Sequence, residues 1–461
     1  MVFEISKPIL LEKPQWWIPI CLGLCLGLFF VSPIILGVAV VALIIIGWAA
    51  LVSYDCVCAL SVFIALLPLW VFLKWIEWPA ISLAGTTIHV ATLFKEVLMI
   101  VFFFHWLISA TRSDKFAIRL TPSLIGFFAI AVIGLLQAGL RDYPISLRPY
   151  IEVFLLVGIP LLSIDLSKRE INRLLICFAI GGGITALVAS YHVFFDPQFL
   201  LDPAWIREDI FKTKSGLSAF DGSRLQSFTG NPNNLAMIML FTSIISFSFT
   251  FRGSIREQVP RRLVYAGLFT ISAILLMLTR SRDDIVFLAI AILLLIVIKR
   301  QTVPLILGGL VFLTGFLTNF DQIVLVLNRL IEQGNPRFNT WVSGVQFYGL
   351  ELLSGVGTIQ TQFAQTHPID SSYFRMLIQI GIGGLFLFIF MNLRVLHGLS
   401  GSIEYTKINT ESILFILLVI MLGGFSVRVT LFVFPFSFYY WTFIALSLQC
   451  MSHQLNNGTT R

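Results

Sequence analysis

The sequence predicts an all-α fold, a polytopic integral membrane protein of about 12–14 transmembrane helices if each span takes roughly 20 apolar residues. Two observations carry this. The 461 residues are 57% hydrophobic and only 12% charged, with a mean hydropathy of +0.91, whereas soluble domains are about 25% charged. The apolar residues also fall in long continuous runs, not in the short alternating strands of a membrane barrel. The chain 1–461 therefore reads as a single transmembrane domain.

The runs lie near residues 16–31, 34–53, 56–74, 90–110, 121–139, 150–165, 173–195, 233–251, 263–279, 285–298, 303–320, 371–393, 412–432 and 436–450. The first follows Lys7 and Lys13, lacks a small-residue cleavage site and soon meets Pro33, so it reads as a retained helix and not as a removed signal peptide. Lys95 and Glu96 sit near one end of the run at 90–110, where a functional charge and a snorkelling lysine are both open readings. "GGG" at 181–183 falls inside an apolar run, where it suits close helix packing better than phosphate binding. The cysteines lie in or beside the runs and outline no disulfide framework, and Cys56 and Cys58 have no partners at zinc-ligand spacing. Two longer polar segments interrupt the series, a first loop at 196–230 and a larger one at 321–370. Both exceed ordinary loop lengths, and Trp205, Phe211, Phe338 and Trp341 make them candidates for packed loops rather than tails.

Orientation follows from the short loops. Arg112, Lys115 and Arg119; Lys168, Arg169 and Arg173; Arg252, Arg256, Arg261 and Arg262; Lys299 and Arg300; and Arg394 with Lys407 occupy alternate loops. The positive-inside rule makes those loops, and both termini, cytoplasmic and sends the two long loops outside. The net charge of +7 is ordinary for such a protein. The exception to the rule is informative, because Arg207, Arg224, Arg280, Arg282, Arg329, Arg337, Arg375 and Arg428 all fall on the outer side. Arginine offers a planar fork that grips phosphate oxygens in pairs, and lysine does not. Arginines simply solvated at the headgroup boundary are the plainer reading.

Three inward-running helices open at that outer face. "SRLQSFTGNPNNLAMIML" (223–240) places Arg224 before Asn231, a good N-cap, and Pro232, suited to the first turn, with Asn233 and Asn234 also able to satisfy free N–H groups. "TRSRDDIVFL" (279–288) sets Arg280 and Arg282 beside the candidate caps Ser281, Asp283 and Asp284. "THPIDSSYFRMLIQIGIGG" (366–384) puts His367 ahead of the candidate caps Asp370, Ser371 and Ser372. Helix N-termini carry partial positive charge and exposed N–H groups, so with arginine alongside they make anion sites. The three together describe a basic pocket for a phosphate-bearing substrate whose apolar part stays in the bilayer.

"RLQSFTGNPNNLA" (224–236), the "SR" pair at 281 and 282, "NPRFNTWVSGVQFYGLELLSGVGTIQTQF" (335–363) and "HPIDSSYFRMLIQIGIGGL" (367–385) resemble the O-antigen ligase and O-antigen polymerase family of bacterial envelopes. The likeness covers about residues 220–390; the first half matches only in its rhythm of helices. It implies a metal-independent, cofactor-free glycosyltransferase in the bacterial inner membrane, acting at the outer face. The donor would be an oligosaccharide on undecaprenyl diphosphate and the acceptor a glycan or lipid-linked sugar; no nucleic-acid partner is implied. By the same resemblance Arg224 and Arg337 hold the diphosphate with Arg282 as a further contact, Asn231 and Asn233 belong to the binding turn, and His367 activates the acceptor hydroxyl. The family often has an asparagine soon after the histidine. Here Pro368, Ile369 and Asp370 follow, and Asp370 is a rival base.

The chemistry suits these residue types on its own terms. A sugar on a diphosphate already has a leaving group, so the protein must stabilise departing negative charge and deprotonate an incoming hydroxyl. Direct displacement inverts the anomeric centre. Asp283 and Asp284 offer a divalent-cation alternative, but lack a third acidic partner. The competing class is an anion transporter, which would place its site near the bilayer midplane on interrupted helices. A non-catalytic scaffold would leave the outer arginines without a purpose. His89, His105, His192 and His397 lie outside the motifs and read as packing residues.

Overall fold

The computed structural model describes residues 45–69, 80–83, 86–112, 122–140, 148–164, 166–195, 220–221, 224–252, 259–299, 336–357, 371–403, 408–428, 431, 433 and 435–458. Helices dominate them: α1 (Ile45–Tyr54), α2 (Cys56–Leu66), α3 (Val90–Arg112), α4 (Pro122–Leu140), α5 (Arg148–Val153), α6 (Ile159–Ser163), α7 (Lys168–Phe194) and α8 (Pro232–Thr250). There follow α9 (Val259–Leu278), α10 (Arg282–Lys299), α11 (Pro336–Tyr348), α12 (Glu351–Ser354), α13 (Ser372–Ser400), α14 (Thr410–Val427) and α15 (Phe436–Gly458). Two short antiparallel hairpins accompany them: β1 (Ala80–Leu83) pairs with β2 (Thr86–His89), and β3 (Phe220–Asp221) with β4 (Arg224–Leu225). The all-α class is as expected. Helices α7, α8, α9 and α13 are long and apolar enough to cross a membrane, as in a polytopic membrane protein. The apolar runs at 16–31 and 303–320 lie outside the described residues.

One predicted helix departs from the simple pattern. The run at 150–165 is helical but passes through a π turn at Phe154–Gly158 between α5 and α6. Pro160 has no N–H to give to the carbonyl four residues back, and the turn widens so that Ile159 N–H bonds Phe154 O.

The centre of the bundle is formed by α8 and α15. Every residue from Leu235 to Ser248 and from Phe436 to Cys450 is buried, the condition of a helix apolar on all sides. Trp441 of α15 is the aromatic hub, with ring centres 4.5 Å from Phe154, 4.9 Å from Tyr150 and 5.2 Å from Phe127. The periphery behaves oppositely. Leu263, Val264 and Ile274 of α9 are more than half exposed, as suits a surface that faces lipid.

The glycine run in α7 is a packing device. A Cβ on Gly181 would stand 2.6 Å from Ala65 O, and one on Gly182 only 1.7 Å from Thr242 Oγ1 of α8. Gly182→Ala therefore forces α7 and α8 apart. We expect a loss of about 1–3 kcal/mol, measured as a lower midpoint of thermal unfolding in detergent, with Thr242→Ala restoring part of it.

Lys168, Arg252 and Arg262, from two of the basic loops, lie at one end of the bundle. Arg252, after α8, donates to Asn172 Oδ1 of α7 at 2.6 Å and to Thr410 Oγ1 of α14 at 3.2 Å. Arg262 of α9 donates to Arg252 O at 3.1 Å, and Lys168 pairs with the buried Glu411 at 2.9 Å. The starts of α7, α9 and α14 and the end of α8 are thus tied together by polar contacts. At the opposite end α8, α10 and α13 begin.

Candidate functional site at the mouths of three helices

Each of the three predicted helix starts forms, and a capping side chain is seen at α8 and α13. Asn231 caps α8, its Oδ1 accepting Asn233 N–H at 2.8 Å, and Pro232 occupies the first turn. Ser281 immediately precedes α10; its carbonyl accepts Ile285 N–H at 3.1 Å and its hydroxyl donates to Asp284 Oδ2 at 2.6 Å. Ser371 caps α13, with its Oγ accepting Phe374 N–H at 3.3 Å. Asp284, within the first turn, accepts that hydroxyl, and Asp370 lies outside the described residues.

Arg224 sits in β4, and the tight hairpin with β3 aligns it beside the start of α8. Its Nε donates to Thr279 O at 3.0 Å and its Nη2 to Asn233 Oδ1 at 2.8 Å. One guanidinium thus bridges the end of α9 to the mouth of α8. These two bonds orient the guanidinium fork. Arg224, Asn231 and Asn233 therefore belong to one cluster, and Arg282 opens the adjoining α10.

Arg337 lies in the first turn of α11, one helical turn before Trp341. Trp341 stacks on Phe374 in the first turn of α13, ring centres 5.4 Å apart and planes 10° from parallel. This contact docks the described part of the second long loop beside the α13 mouth. His367, the predicted base, lies outside the described residues.

Three features were not legible as site elements. Arg428, just past α14, appeared only among the outer arginines. Its Nη2 lies 2.6 Å from Asp284 Oδ2 and donates to Ser281 Oγ at 2.5 Å, and its Nη1 donates to Asn233 O at 3.3 Å. Its own carbonyl accepts Ser372 N–H at 2.9 Å and Ser372 Oγ–H at 2.6 Å. All three helix starts consequently meet at this residue. The Asp284 carboxylate is engaged by Arg428 and Ser281, which argues against the divalent-cation alternative for it; no group of three metal-ligating side chains occurs among the described residues.

His192 is the second feature. It is buried, as a packing residue should be, but its Nδ1 lies 2.7 Å from Ser227 Oγ. Ser227 has φ +50, a left-handed conformation that a non-glycine residue adopts at a cost. His192 thereby braces the strained turn joining Arg224 to the cap of α8. A histidine near the end of an apolar helix gives no sequence signal for such a contact.

The third is a break in α13. Gly381 has φ +74 and interrupts the helix, and Gly355 (φ +83) lies against it, so closely that a Cβ on Gly355 would approach Gly381 N to 2.5 Å. Carbonyls released by the break are taken by the crossing segment, Val356 N–H to Ile378 O at 2.6 Å and Gly357 N–H to Gln379 O at 3.0 Å. The apolar pattern of "MLIQIGIGGL" continues through the break and does not announce it.

No protein-family model and no curated protein matches the sequence.

Proposed function

We propose that the protein transfers an oligosaccharide from a lipid diphosphate carrier to an acceptor hydroxyl at the outer face of the bacterial inner membrane, in the manner of O-antigen ligases and polymerases. The observation that carries this reading is the convergence of three helix N-termini with Arg224 among them at one end of an apolar bundle. The positive ends of helix dipoles and an oriented guanidinium both favour a diphosphate. The bilayer would carry the prenyl chain. In this reading Arg224 holds the diphosphate, Arg337 and Arg282 approach it from α11 and α10, Asn231 and Asn233 shape the turn, and His367 takes the proton of the acceptor. His367 precedes the α13 cap by four residues, a chain length spanning at most about 14 Å.

The test is direct. Purified protein in lipid nanodiscs receives undecaprenyl diphosphate oligosaccharide and a glycan acceptor, and release of undecaprenyl diphosphate is followed. Release that needs Arg224 supports the reading; undiminished release by single alanine variants of Arg224, Arg337 and His367 rejects the site. Longer glycan still on the carrier marks a polymerase, and glycan moved to another molecule marks a ligase.

One observation favours the alternative. Transporters build their sites on interrupted helices, and α13 is interrupted at Gly381. Uptake of labelled anion into sealed proteoliposomes, lost in the same variants with no sugar product formed, would replace transfer by transport.

A further inference from the structure

We propose that Arg428 is a positioning residue that holds the mouths of α8, α10 and α13 in one geometry and, through Asn233, aims Arg224. The inference rests on the transfer reading for its catalytic consequence, and on contacts alone for its structural part. Arg428 reaches Asn233 O on α8, Ser281 Oγ and Asp284 Oδ2 on α10, and through its carbonyl Ser372 on α13. Nη1 serves the partner on α8 and Nη2 the two on α10. A rigid planar fork with five N–H donors can satisfy its share of them at once, whereas a lysine ammonium is a point charge on a flexible stem.

The charge of Arg428 is met within the mouths themselves. Arg428 and Asp284 form a nearly buried ion pair, their side chains 11% and 3% exposed, so the carboxylate already balances this guanidinium. Arg224 donates to the Thr279 carbonyl and the Asn233 side chain. The two arginines meet on one residue: Arg224 takes the Asn233 side chain at 2.8 Å and Arg428 the Asn233 backbone carbonyl at 3.3 Å. A shift of Arg428 is therefore passed to Arg224 across a single asparagine. Misplacing such a group by about 1 Å costs on the order of 100-fold in rate.

The experiment compares the wild type, Arg428→Lys, Arg224→Ala and the double variant as full-length protein in nanodiscs, with two readouts. Hydrogen exchange is followed at the N–H groups of Asn233, Ile285 and Ser372, each bonded in the intact mouths. Release of undecaprenyl diphosphate from lipid diphosphate oligosaccharide gives kcat and KM. In Arg428→Lys, exchange should rise at all three helix starts together while the rest of the bundle stays protected, and kcat should fall about 10- to 100-fold with KM changed less than about threefold. In the Arg224→Ala background the lysine substitution should add little, because neighbouring groups acting as a unit are not additive. Unchanged exchange at the three starts overturns the proposal. So does loss of protection throughout the bundle with activity tracking the folded fraction, which is a purely structural role, or a rise in KM alone, which is a direct ligand contact. A wild type that releases no lipid diphosphate overturns the transfer reading instead, and the exchange readout then decides the positioning role by itself.

Discussion

Replacing Arg224 by alanine is expected to slow release of undecaprenyl diphosphate by about 10²- to 10³-fold, the usual cost of removing one preorganised donor from developing negative charge. Among the contacts the side chain loses are the hydrogen bonds to Thr279 O and Asn233 Oδ1. Each contributes about 0.5–1.5 kcal/mol to folding, too little to unfold a bundle whose core is built elsewhere around α8 and α15. The rate loss should therefore appear in protein whose circular dichroism and thermal midpoint are close to wild type. Arg224→Lys separates charge from shape. Lysine keeps the cation but cannot bridge α9 and α8 while presenting a paired donor to phosphate, so only part of the rate should return. Full activity in both variants would remove Arg224 from the site.

The same contacts explain what the sequence could and could not reveal. Helix existence was legible because burial in lipid requires continuous apolar runs, and the Asn231 and Ser371 caps were legible because asparagine and serine compete for free N–H groups wherever a helix starts. Arg224 was found because it stands seven residues ahead of Asn231 in a local, cap-rich stretch. Arg428 was not, because every side-chain partner it has lies more than 140 residues away, and one arginine after an apolar run looks like any interfacial arginine. The strain at Ser227 and the break at Gly381 are likewise set by tertiary neighbours, His192 for one and Gly355 for the other. Local chemistry fixes where helices begin; only packing determines which beginnings meet.

The proton poses a separate problem, and it yields the other large effect. Deprotonating a sugar hydroxyl as it attacks is worth about 10²- to 10⁴-fold, so His367→Gln is expected to lower kcat by that order with folding unchanged. The rival base is three residues further on, at Asp370, and acidity distinguishes the two. A base must be deprotonated to work, so the rate rises with pH until the group has lost its proton. An ordinary imidazole does so near pH 6.5 and an ordinary aspartate near 3.9. With histidine as base the wild-type rate should climb through about pH 6–7 and level off above it. His367→Gln should lose that climb, and Asp370→Asn should keep it. The opposite pattern, a rate already level at pH 5 and abolished by Asp370→Asn, would move the base to the aspartate. Both outcomes leave the diphosphate to Arg224, because holding a leaving group and removing a proton are tasks at opposite faces of the reacting carbon when displacement is direct.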